Sequence, residues 1–165
     1  MTSADFDPNA PQYGYPPSGS PQWSHAQPGG LGRRFFARVI DGLLVNIVAF
    51  LLSMFLFDRD YWFLATGLFS GVLMFGYFVL LEVTQGATLG KRLLGLTVHG
   101  PDGASRPDAT QSAIRNSFTL LAVVPYLGPL LAFIAYVVIA VTISGSPTKQ
   151  GKHDELAGGT QVVKG

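Results

Sequence analysis

No cysteine occurs in the 165 residues, which excludes disulfides, iron–sulfur clusters and thiol catalysis. Charge is scarce as well. Only 13% of residues are Asp, Glu, Lys or Arg, about half of the roughly 25% found in soluble domains. The shortage is concentrated: residues 43–57, 61–81 and 116–148 carry no charge at all. Histidine is also rare. His25, His99 and His153 fall in three separate polar segments, so spacing predicts no metal cluster, and no cofactor is expected. The serines of the apolar runs, Ser53 and Ser70, have no histidine near in sequence. No nucleophile–base set is recognisable, and the chain is not expected to be an enzyme or to bind nucleic acid. Gly86, Gly90 and Lys91 only faintly imitate a phosphate loop: the glycine spacing is one residue short and Arg92 stands where Ser or Thr is needed.

What the sequence does have is apolar length. A spanning helix needs about 20 mostly apolar residues. Segments 35–57 and 61–81 meet this requirement. A third region, 118–143, is long but interrupted by "VPYLGP", where Pro125 and Pro129 cannot sit in an unbroken helix without a kink. It reads either as one kinked span or as two passes, 109–125 and 127–143, with the first short or only partly inserted. Lys149, Lys152 and Lys164 beyond it favour two passes, because basic residues collect on the cytoplasmic side. The fold class is therefore an all-α membrane protein: a small bundle of about four, alternatively three, transmembrane helices with a short cytoplasmic β-hairpin.

Two domains are expected. Residues 1–32 form a Pro/Gly-rich tail with too few aliphatic residues to fold. Before Gly32 the chain has neither a basic residue nor an apolar core, so no secretory signal is expected and the first span should persist as an anchor. Residues 33–165 form the membrane domain. Arg33, Arg34 and Arg38 precede or open the first span and predict a cytoplasmic N-terminus in the cell membrane. "DRD" at 58–60 is short enough to force an antiparallel hairpin of the first two helices, with Tyr61 and Trp62 as interfacial anchors. Gly67 and Gly71 permit close helix approach, expected within the chain rather than between chains. In the polar loop after Glu82, "TLGKRLLGLTV" reads as an interfacial segment. Lys91 and Arg92 are its candidate contacts to anionic lipid, and "GPDG" is the turn of a hairpin.

Asp41 is the most informative single residue. A carboxylate inside an apolar helix costs on the order of 3 kcal/mol by insertion scales, so it needs a partner, a cavity or a function. Arg38 lies three residues earlier, on the same helix face. A structural ion couple and a transport role are both open for the pair.

"RRFFARVIDGLLV", "GATLGKRLLGLTVHGPDG", "AIRNSF" and "GKHDELAGGTQVV" occur in an order and spacing that resemble the RDD family of membrane proteins, named for one arginine and two aspartates. The resemblance covers residues 33–164 and implies that Arg38, Asp41 and Asp154 are the family's polar residues. It also implies a transport role, without a substrate. If the C-terminal segment folds back, Asp154 is expected to meet Arg38, or Lys91 and Arg92. Transport of an ion or small solute is the leading expectation, as a homo-oligomer because so small a bundle can hardly enclose a pathway. The alternative is a non-catalytic scaffold or accessory subunit docking a membrane partner through its Pro-rich tail.

Overall fold

The computed structural model describes residues 27–56 and 62–165. The tail reading of residues 1–26 falls outside them, as do the turn at 58–60, Tyr61 and the Trp62 side chain. Helix α1 runs Leu31–Leu56 and α2 runs Trp62–Gln85. Both are apolar over their length and pack antiparallel. Ser53 Oγ meets Thr66 Oγ1 at 2.7 Å, Ser70 donates to Asn46 at 2.7 Å, and the Tyr77 hydroxyl donates to Asp41 at 2.7 Å. As α1 is read backwards its partners advance along α2, as a hairpin requires. Val45, Met74 and Phe78 fill the contact between the two helices.

α1 begins earlier than the sequence predicts. Arg33 and Arg34 lie on its first turn rather than ahead of it, and Arg38 follows one turn further on. The start is held from outside: Gly29 N–H donates to the Val162 carbonyl at 2.9 Å, and Arg34 Nε donates to the Gly29 carbonyl at 2.9 Å. Residues 27–32, expected in the tail, thus belong to the fold.

Beyond α2 the chain builds a polar cap. Helix α3 is Leu89–Leu93, strand β1 is Leu96–His99, and a single 3₁₀ turn spans Pro101–Gly103. The predicted turn is there, with Asp102 at φ 55° and Gly103 at φ 80°, but no returning strand follows it. β1 pairs antiparallel with β2, Gln161–Lys164, in the register Leu96↔Lys164 to His99↔Gln161. The local hairpin is thereby corrected. After the turn, "ASRP" lacks β-branched residues and ends on Pro107, which has no N–H for a ladder. Val162 and Val163 supply what that stretch lacks, and both are buried. Leu96, Val98 and Val162 close over Ala37 of α1, so the small sheet seals that end of the bundle.

Helix α4 is Ala109–Asn116, capped by Asp108, whose side chain accepts from Gln111 N–H at 2.8 Å. It continues as a 3₁₀ helix over Ser117–Val123. Together they run beside α2 from Glu82 to Gly67, about 22 Å at 1.5 Å per residue. Gly71 makes this possible: a Cβ there would sit 2.6 Å from Val123 Cγ2 and 3.3 Å from the Thr119 carbonyl. The close-approach glycines therefore serve packing within the chain. The chain reverses at Val124–Leu127, with Tyr126 at φ 60°, and α5, Gly128–Gly145, returns to the polar end. Short helix α6, Lys152–Leu156, and β2 complete the cap.

Among the described residues, α1, α2 and α5 are long and apolar enough to cross a membrane. Segment 109–125, one of the two passes weighed from sequence, instead packs along α2 as α4 followed by a 3₁₀ helix and is not one of these three.

Candidate functional site

All three carboxylates that matter lie at one end of the bundle, and each is fully buried: Asp41, Glu82 and Asp154 have 0% exposure. Each has its own set of donors.

Asp41 sits on the α1 face that meets α3. It accepts from Tyr77 Oη at 2.7 Å, Thr88 Oγ1 at 2.6 Å and Gly90 N–H at 2.8 Å. Thr88 is the N-cap of α3, so the carboxylate lies at the positive end of that turn. Gly90 lets α3 come this close, since a Cβ there would stand 2.3 Å from the Ala37 carbonyl. Asp41 thus fastens the loop to α1. The expected ion couple with Arg38 is absent from the hydrogen bonds and ion pairs of the described residues. Sharing a face at i, i+3 permits contact but does not impose it, and three neutral donors already occupy the carboxylate.

Glu82 was not singled out from sequence, where it only marks the end of an apolar run. It pairs with Lys91 Nζ and accepts from Ser112 Oγ and Asn116 Nδ2, each at 2.9 Å. This corrects the expectation for Lys91: at 6% exposure it is a buried partner of Glu82, not a lipid contact. Burial draws its ammonium down to a pKa of about 8, with Glu82 opposing. Arg92, the other residue assigned to the interface, is exposed.

Asp154 caps its own short helix through Gly151 N–H at 3.1 Å. It lies 3.3 Å from Arg34 Nη1 and 3.0 Å from Arg115 Nε. These are not the partners expected from sequence. The pairing of β2 with β1 and with residues 27–29 fixes where α6 lies, and that brings Asp154 to Arg34 rather than Arg38, Lys91 or Arg92. Burial alone would raise its pKa; Arg115 and Arg34, with the bond from Gly151 N–H, outweigh burial and hold it below the ordinary carboxylate value. Next to it, His153 is pushed down to about 3 by burial, so its imidazole is neutral over the physiological range.

Arg38 stands between these centres. Its guanidinium carbon lies 3.7 Å from the Phe78 ring centroid and 5.1 Å from that of Phe118, which is cation–π stacking. Nη2 donates to Asn116 Oδ1 at 3.3 Å, while Nη1 is buried without a hydrogen-bond partner among the described residues. Asn116 links two centres, donating to Glu82 and accepting from Arg38. Arg115 is 2% exposed, and among the described residues its Nε and Nη1 have no hydrogen-bond partner. In the sequence Arg115 stands out only as part of "AIRNSF". A signal was available: an arginine four residues before Thr119, at the mouth of an uncharged stretch, cannot reach water easily once that stretch is inserted.

An all-helical bundle of apolar spans closed by a buried ionic cap is an integral membrane protein. A family model described as the RDD family matches residues 28–158, and the chain belongs to that family. No curated protein and no solved structure matches it.

Proposed function

We propose that this membrane protein takes part in moving an ion or small solute, with Arg38 as the group that meets it. The observation that carries this reading is the Nη1 of Arg38, buried and without a hydrogen-bond partner among the described residues. A buried ionised group is expensive, and beside membrane spans it marks an ion or solute site by default. Asp41, with three donors of its own, is read as the anchor that positions α3 rather than as a carrier of the solute. Three long spans and one broken segment offer little room for an enclosed pathway, which supports an oligomeric assembly. The exposed cations Arg33, Arg92, Arg106, Lys152 and Lys164 all belong to the polar end. Their position supports a cytoplasmic cap in the cell membrane that touches anionic lipid. The scaffold alternative rests on the tail, whose residues 1–26 lie outside the described structure, and no contact favours it.

The test is flux in proteoliposomes, followed for protons, sodium, potassium, chloride and phosphate. Arg38→Gln is expected to insert normally, as read by its circular dichroism and its yield in the membrane fraction, and to lower flux about tenfold or more, the effect of removing one charged hydrogen-bonding group. Wild-type flux in a well-inserted Arg38→Gln protein would refute the assignment.

A further inference from the structure

We propose that the guanidinium groups of Arg38 and Arg115 form a binding site for an oxyanion of the phosphate type, presented by a lipid headgroup or as the free ion. Three observations converge on it. The first is unmet donor capacity: among the described residues Nη1 of each arginine is buried with no hydrogen-bond partner, and Arg115 is only 2% exposed. A buried guanidinium donor left empty is unfavourable by the full desolvation of that group.

The second is charge. Four cations, Arg34, Arg38, Lys91 and Arg115, share the cap with three carboxylates. Each carboxylate already has its donors: Asp41 from Tyr77, Thr88 and Gly90, Glu82 from Lys91, Ser112 and Asn116, Asp154 from Arg34 and Gly151, with Arg115 Nε also beside it. Neutral His153 adds neither sign. One positive charge is left over, and it belongs to the arginine with no carboxylate among its ion pairs, Arg38. A buried water could fill one donor position but would leave that charge uncompensated.

The third is convergence and access. Arg38 bonds to Asn116, the residue that follows Arg115. Phe118 carries Arg38 on its ring and His153 at its edge, with centroids 5.9 Å apart for the latter pair, and Arg115 reaches the neighbouring Asp154. The two guanidinium groups are thus tied to one small set of side chains. Arg38 is only half-buried, so the site has an opening beside α1. Paired planar guanidinium groups suit an anion with several oxygens better than a spherical halide.

The inference rests on Arg38 being the working group of the cap, but its test reads binding rather than flux. Binding without flux would remove the transport role and keep the site. Full-length protein in an uncharged maltoside detergent is titrated with inorganic phosphate, with chloride at equal ionic strength as the control, and the thermal midpoint is followed by tryptophan fluorescence. A parallel set uses nanodiscs of phosphatidylcholine with or without phosphatidylglycerol. The expected result is an upward midpoint shift that grows with the logarithm of phosphate concentration and is absent with chloride. A shift given by phosphatidylglycerol alone also supports the site and assigns it to a headgroup. Arg38→Gln should weaken the apparent affinity about tenfold or more, and Arg115→Gln likewise if it folds. Arg92→Gln, on the exposed face, should leave the shift intact. No shift with either anion source, or an equal shift in Arg38→Gln, overturns the proposal.

Discussion

Asp154→Asn is expected to destabilise the protein by about 3–5 kcal/mol, the range for breaking one side of a buried ion pair. The carboxylate is wholly buried and lies 3.3 Å from Arg34 and 3.0 Å from Arg115. Neutralising it leaves two guanidinium groups facing each other with no counterion. It also weakens the bond to Gly151 N–H that opens α6, and α6 leads directly into β2. The effect should therefore spread to the sheet and to the start of α1, which β2 holds. Unfolding in graded denaturing detergent checks the magnitude, and protease cleavage near residues 27–30 checks the spread. Removing Arg115 as well takes away the more buried of the two stranded charges, so Asp154→Asn with Arg115→Met should be more stable than Asp154→Asn alone. A single variant with wild-type resistance would mean that the arginines find other acceptors.

Gly90→Ala is expected to be nearly as damaging, at about 3 kcal/mol or more, the upper part of the range for overpacking. The added methyl would stand 2.3 Å from the Ala37 carbonyl and 3.0 Å from both Cγ and Oδ1 of Asp41. The first of these is backbone, which cannot rotate away, so α3 must lift off α1. That movement lengthens the Gly90–Asp41 and Thr88–Asp41 bonds together. Gly76→Ala is the control: nothing lies within 4 Å of its Cβ position, and in mid-helix the alanine should stabilise by about 0.5–1 kcal/mol. Equal midpoints for the two alanine variants would contradict the close approach of α3 to α1.

Much of this architecture is legible in the sequence because membrane insertion is read from uncharged length, and the three long runs declare themselves. Gly67 and Gly71 announce a close approach, and "VPYLGP" announces the reversal before α5. Asp41 also stands out, since a lone carboxylate in an apolar run has few cheap explanations. What sequence does not carry is which charge meets which. Arg38, Lys91 and Arg92 are the partners sequence offers Asp154 until β2 fixes the position of α6 beside Arg34, and that pairing joins residues more than 60 apart. Glu82 is hidden for a related reason. At the end of a hydrophobic stretch a glutamate looks like a boundary, and only the fold of the loop and α4 turns Lys91, Ser112 and Asn116 onto it. The local hairpin has the same origin: a strong turn signal invites a local partner, while the better β-formers lie at residues 161–164.

The central claim is that Arg38 and Asp41, one turn apart, serve different partners: Asp41 anchors the α3 loop, and Arg38 keeps a donor available. Double-mutant cycles on unfolding separate these roles. The coupling between Asp41→Asn and Thr88→Ala should fall at about 1 kcal/mol or above, as for side chains in direct hydrogen-bond contact. The coupling between Asp41→Asn and Arg38→Gln should stay below about 0.5 kcal/mol, the level of an i, i+3 neighbour without a bond. The reverse order, strong coupling to Arg38 and none to Thr88, would show that the two residues form an ion pair after all and would contradict the separation on which the site depends.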